Sequence, residues 1–152
     1  MAKESALKQK LADDLKQAMR DGDKVKRSAI RLAMAAVKNA EIARQAALED
    51  GDILGVITKE VRQRKESIEA FKQGGRQELV AQEEAEMAVL EQYLPQQMSR
   101  DEITAEARRV IEEVGAESIR DKGKVMSPLI AKLKGKADGR DINEVVTELL
   151  GS

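Results

Sequence analysis

The sequence contains no cysteine and no histidine, and its aromatic residues are one phenylalanine, Phe71, and one tyrosine, Tyr93. Without cysteine there is no disulfide framework, no thiol nucleophile and no thiolate metal site. Without histidine the usual general base and the commonest metal ligand are gone. No apolar run approaches a membrane span. The stretch from Met1 to Ser5 lacks the apolar region of a secretory signal, so a soluble, cytoplasmic protein is the default expectation.

What is present is helix-forming. Charged residues make up 36% of the 152-residue chain, and Ala, Leu, Glu, Lys, Gln and Arg, the strong helix formers, dominate. A core without aromatics must be packed from Leu, Ile, Val, Met and Ala, which suits helix on helix. The predicted class is all-α. The length suits one ordinary domain or two small ones sharing a seam.

Spacing places the helices. Leu7, Leu11, Leu15 and Met19 recur every fourth residue, predicting a first helix that stops at Asp21-Gly22. Asp23 is positioned to cap a second, lined by Val25, Ala29, Leu32, Ala36, Val37 and Ala40 and running to about Ala47. Its alanines suit a close helix–helix seam within the chain, with a docking face for a partner as the other reading. Asp52 is the expected cap of a third helix carrying Leu54, Ile57, Val61, Ile68 and Phe71, a stripe broken where Arg64 stands. Gly74-Gly75 is a turn, and a fourth helix with Leu79, Val80, Met87, Leu90 and Leu94 should close at Pro95. The expected boundary lies there, giving a four-helix region over 1–95 and a compact three-helix tail over 96–152. The tail opens with the capping-box pattern Ser99-Arg100-Asp101-Glu102 and a helix carrying Ile103, Ala107, Val110, Ile111 and Val114.

The last part of the chain is a helical hairpin in outline. Val125, Met126, Leu129, Ile130 and Leu133 form one apolar stripe, Gly135 is a stop, and Asp138 is placed to cap a helix with Ile142, Val145, Val146, Leu149 and Leu150. Net charge is −1, but it is unevenly spread: Ile119 to Arg140 holds seven basic and two acidic residues, whereas residues 1–95 balance at seventeen each. This stretch, with Gly123-Lys124-Val125-Met126, then Ala131 through Gly139, then Asn143-Glu144-Val145-Val146, resembles the signature of the GatB/YqeY family. Lys38-Asn39-Ala40-Glu41-Ile42, Glu60 to Ile68 and Ala88 to Pro95 are similar to that family's stand-alone members. Ser127-Pro128 departs from the pair expected after the methionine, and predicts a helix that starts late, near Lys124, or bends at Pro128.

The resemblance implies kinship with the C-terminal tail of the B subunit of the tRNA-dependent Asp/Glu amidotransferase, which holds tRNA while another domain does the chemistry. A link to glutamine-dependent carbon–nitrogen ligase machinery follows from the same kinship. The residues themselves show no catalytic constellation. Glu83, Glu84 and Glu86 are the densest acidic cluster, and a solvated face is their simplest reading. No phosphate loop or calcium loop has its required spacing, and Ser127 has no histidine to activate it. No cofactor, metal or catalytic residue is expected, and no activity from the chain alone. The sharper expectation is electrostatic: Lys122, Lys124, Lys132, Lys134, Lys136 and Arg140 would dock RNA phosphates. Gly135 and Gly139 would let the backbone of the RNA approach. The bland alternative is that these cations solubilise a hairpin. Structured RNA, tRNA foremost, is the expected partner; the alternative function is a protein–protein adaptor docking on a larger enzyme.

Overall fold

A computed structural model of the chain describes residues 5–151. Among them run seven α-helices and one 3₁₀ turn, and no strand, so the fold is all-α. They form two compact units, the described residues up to Leu94 and those from Pro95 onward.

The first unit holds α1 (Ala6–Asp21), α2 (Lys24–Arg44), α3 (Asp50–Gln73) and α4 (Gln77–Glu91). Gly22, at φ 69°, ends α1 in the left-handed conformation that a side chain disfavours. The Asp23 carboxylate then accepts the Lys26 amide at 3.0 Å and starts α2. That helix ends at Arg44, short of Ala47, because Gln45 turns left-handed and its amide and that of Ala46 close back onto Ile42 and Glu41. Glu49, and not Asp52, caps α3; Asp52 is the third helical residue and takes the Glu49 amide at 3.2 Å. Asp50 is thereby free to reach α1, accepting the Leu7 amide at 3.2 Å and the Ser5 hydroxyl.

The inward stripes are rotated from those read in the sequence. Each four-residue step advances a helix by about 40°, so Leu7 and Met19 diverge by about 120°. Met19 is accordingly 51% exposed and Ala18 takes the inward position. On α2 the core takes Ala29, Ile30, Ala33 and Val37, while Val25 and Leu32 face water. On α3, Ile53 is fully buried where Leu54 was expected.

The break in the α3 stripe proves to be filled. Arg64 lies inside the unit with its side chain 6% exposed, its Nε 3.7 Å from Oε2 of Glu86, itself 7% exposed. Glu60 holds the guanidinium through its carboxylate at 3.1 Å and its carbonyl at 3.2 Å. The other oxygen of Glu86 accepts the Ser28 hydroxyl at 3.0 Å. Glu86 therefore belongs to no solvated acidic face: it joins α2, α3 and α4. At the end of α4, Tyr93 donates to Asp14 at 2.5 Å beneath the Lys10 ammonium. Burial is the largest influence on Asp14 and raises its carboxyl; the Tyr93 and Lys10 contacts outweigh it and leave a net depression. The helix itself stops at Glu91, before the proline, in two short turns that end on Leu90 and Glu91 carbonyls.

The second unit holds α5 (Arg100–Val114), the 3₁₀ turn Ile119–Asp121, α6 (Lys122–Leu133) and α7 (Gly139–Gly151). Ser99 and Glu102 form the reciprocal capping box, at 3.2 and 3.1 Å. Ile103 and Ala107 of α5, Val125 and Leu129 of α6, and Ile142 and Val146 of α7 meet in one aliphatic core. Helix α6 starts at Lys122 rather than late, with Pro128 inside it on the exposed side. Proline has no N–H, so the Lys124 carbonyl lacks its intrahelical donor.

Burying the ion pair gives an unequal mutational outcome. Arg64→Leu leaves the Glu86 carboxylate buried with only the Ser28 hydroxyl and is expected to lower unfolding free energy by about 3–5 kcal/mol, whereas Arg64→Leu/Glu86→Leu should lose far less. Urea unfolding of both variants reads the difference, and equal losses would contradict it.

Candidate nucleic-acid interface

The basic hairpin is held from outside. Leu133 closes α6, and its carbonyl accepts the amides of Lys136 at 2.9 Å and Ala137 at 3.1 Å. This tight turn needs a left-handed residue, supplied by Gly135 at φ 81°. The Gln97 side chain donates to the Gly135 carbonyl at 2.9 Å, and the Met98 amide donates to the Lys136 carbonyl at 2.9 Å. Asp138 then caps α7, its carboxylate accepting the Arg140 amide at 3.0 Å. Gly135 is thus buried and occupied by Gln97, so it is no approach point for a phosphate chain. Gly139 is exposed, with nothing within 4 Å of where a Cβ would stand.

The six cations fall into two groups. Lys122 and Lys124 stand at the start of α6, the first half-buried and the second exposed. Lys132, Lys134, Lys136 and Arg140, all exposed, surround the turn. Lys122 and Lys132 are separated by about 15 Å of helix rise. None of the six is buried, but acids answer several of them. Lys132 lies 2.8 Å from Glu106 of α5. Lys124 lies 3.7 Å from Asp121, and Arg140 lies 3.9 Å from Glu144. Glu144 is shared, for Arg100 reaches it at 3.4 Å.

These contacts leave a signature in the carboxylates. Glu106 is held below the usual carboxylate range, chiefly by Lys132, with Arg109 and Lys136 adding to it. Asp121 is depressed mainly by the Glu117 amide, which it accepts at 2.9 Å, and more weakly by Lys124. Glu106 is the site residue that the sequence does not reveal. It sits on α5 at a position that reads as ordinary solvent face, and its role appears when α6 packs alongside.

A carboxyl depressed in the folded state contributes stability above its unfolded value, about pH 4.3 for glutamate. That contribution disappears as pH falls through the folded value. Glu106→Gln is therefore expected to be less stable than the parent at pH 7, with the two converging on acidification. Melting temperatures taken from about pH 7 down to pH 3 test this, and a constant gap would refute it.

Comparisons with known proteins give the chain a family. A family profile described as Yqey-like protein matches residues 8–150. "Altered inheritance of mitochondria protein 41, mitochondrial" of Pyrenophora tritici-repentis is 28% identical over 155 residues, covering 98% of this chain and 83% of that protein. The protein of that name in Saccharomyces cerevisiae (strain YJM789) is 38% identical over 87 residues, 57% of this chain and 47% of the relative. The one in Eremothecium gossypii is 39% identical over 85 residues, 55% and 46% respectively. The match thus spans just under half the length of the two yeast-type relatives. Relatives named as mitochondrial overturn the expectation of a cytoplasmic protein. That expectation rested on a missing apolar stretch, and mitochondrial address segments are amphipathic and Arg-rich instead. Residues 1–4, on which it partly drew, lie outside the described residues. Among the described residues no helix is long and apolar enough to cross a membrane. With the profile running through both helical units, the chain belongs to the YqeY-like protein family.

Proposed function

We propose that this chain is a non-catalytic accessory module that docks structured RNA, tRNA foremost, on the rim of its C-terminal hairpin. Lys122, Lys124, Lys132, Lys134, Lys136 and Arg140 would contact phosphates. The observation that carries the reading is the fastened turn. Lys134 and Lys136 project from a backbone pinned by Gln97 and Met98, so little ordering is required when a phosphate binds. The unit contains no aromatic residue to stack on a base, which favours recognition of shape and phosphate over sequence. The exposed pairs of Lys124 with Asp121 and of Arg140 with Glu144 are weak, screened competitors that a polyanion can displace, whereas the Lys132–Glu106 pair must open before Lys132 reaches a phosphate. By the family resemblance, the RNA would be a substrate of a glutamine-dependent aminoacyl-tRNA amidotransferase, a carbon–nitrogen ligase. This chain would hold the tRNA and the ligase would act on it.

Filter binding of bulk tRNA at two salt concentrations tests the reading. Binding should weaken steeply with salt, and Lys132→Ala/Lys134→Ala/Lys136→Ala should lower the log–log slope by about 2. Salt-insensitive binding, or a triple variant that binds like the parent, would remove the RNA reading. Turnover of glutamine and a charged tRNA by the isolated chain would replace it with an enzymatic one.

A further inference from the structure

Helix α2 carries two apolar faces. Its inner face, Ala29, Ile30, Ala33 and Val37, is spent on the core of the first unit. The other face points to water and carries aliphatic side chains. Val25, Leu32 and Ile42 are 38%, 49% and 65% exposed, and Ala35 and Asn39 are exposed between them. Val25, Leu32 and Asn39 recur every seven residues in one row, and Ala35 and Ile42 in a second; Ser28, which would open the second row, is half-buried with its hydroxyl on Glu86. That is the a and d pattern of a coiled-coil seam, with a polar Asn at one a position, a feature that fixes register. The seam extends about 25 Å along the helix.

The flanks are charged on one side. Lys24, Arg31 and Lys38 occupy every g position, whereas Ala29, Ala36 and Ala43 occupy the e positions. Lys24, Arg31 and Lys38 are exposed. The one acid of α2, Glu41, is already paired: it accepts Lys8 at 2.9 Å and the Leu48 amide at 2.9 Å. Beside the g row, between α1 and α2, lies an open-sided cavity of about 400 Å³ lined by Leu11, Met34, Ala35 and Val37, with Lys38 and the Lys8–Glu41 ion pair completing its wall. An apolar side chain carried by a docked helix has a place to go.

We propose that the outer face of α2 is a docking surface for an acidic amphipathic helix of another protein, one with an aliphatic a/d seam and carboxylates facing Lys24, Arg31 and Lys38. The occupant follows from charge and shape. A second copy of α2 packed antiparallel would set g against g, opposing the three cations to each other. Packed parallel it would set them against alanines and leave them unanswered. An RNA strand would answer the cations and leave Leu32 and Ile42 wet. An acidic helix covers the aliphatic seam and pairs the g row together. This surface is separate from the tail cations, so its test does not depend on theirs.

The probe is a synthetic helical peptide of about three heptads with Leu at a and d and Glu at e and g, compared with its Lys counterpart. Fluorescence anisotropy with the full chain should show the Glu peptide binding at least about tenfold more tightly than the Lys peptide. Leu32→Ser/Ile42→Ser should weaken binding by about tenfold or more while leaving the melting temperature in place, because both residues are exposed. Lys24→Glu/Arg31→Glu/Lys38→Glu should reverse the preference. Failure of the Glu peptide to bind, equal binding of both peptides, or indifference to the serine variant would overturn the proposal. So would sedimentation showing that α2 is covered by a second copy. tRNA or anionic-vesicle binding that is lost in the glutamate variant and kept in the serine variant would assign the face to a polyanion instead.

Discussion

A chain with one Phe, one Tyr and no Trp can close a core with aliphatic side chains and alanine alone. Each aliphatic residue contributes about 1.5–3 kcal/mol when fully buried, so the helices must come close and use every inward position. Alanine permits that approach: Ala29 and Ala33 are fully buried on α2, and Ala107 is fully buried on α5. A charged pair also fills space inside the first unit. Arg64 is long enough to bridge from α3 to Glu86 on α4, and its buried methylenes do part of the packing. A buried pair of this kind adds little net stability; here it ties α3 to α4 and, through Ser28, to α2.

The C-terminal unit solves a different problem with the same materials. The strap from Pro95 to Ser99 fastens its hairpin turn from outside. Gln97 and Met98 satisfy two turn carbonyls that would otherwise need water. Polar satisfaction of the backbone and presentation of the lysines are therefore one device. Surface acids temper the resulting field. Glu106 pairs with Lys132 at 2.8 Å and offsets part of the positive charge at the end of α6.

Much of this was legible beforehand, and the reasons differ by element. Residues that act on their own backbone were readable: Asp23, Ser99 with Glu102, Gly135 and Asp138 do what their chemistry dictates within a few residues. Asp52 was misread because Glu49 competes for the same cap and forms the reciprocal pair. The stripes were readable as helices but not as faces. A four-residue repeat drifts around the axis, and which arc is buried depends on where the neighbours stand; hence Ala18 for Met19 and Ile53 for Leu54. The basic run of the tail was legible as composition. The partition of its cations into two clusters, and their acidic partners on α5 and α7, depended on helices far apart in sequence.

By itself, then, the sequence determined the all-α class, most helix ends and the location of the basic segment, because these follow from local propensity, capping and composition. Tertiary packing alone decided that Glu86 turns inward to Arg64, that Gly135 is covered by Gln97, and that α2 keeps an apolar seam facing water. In each case the deciding quantity is the environment created by another helix, and no residue's own chemistry specifies which neighbour it will meet.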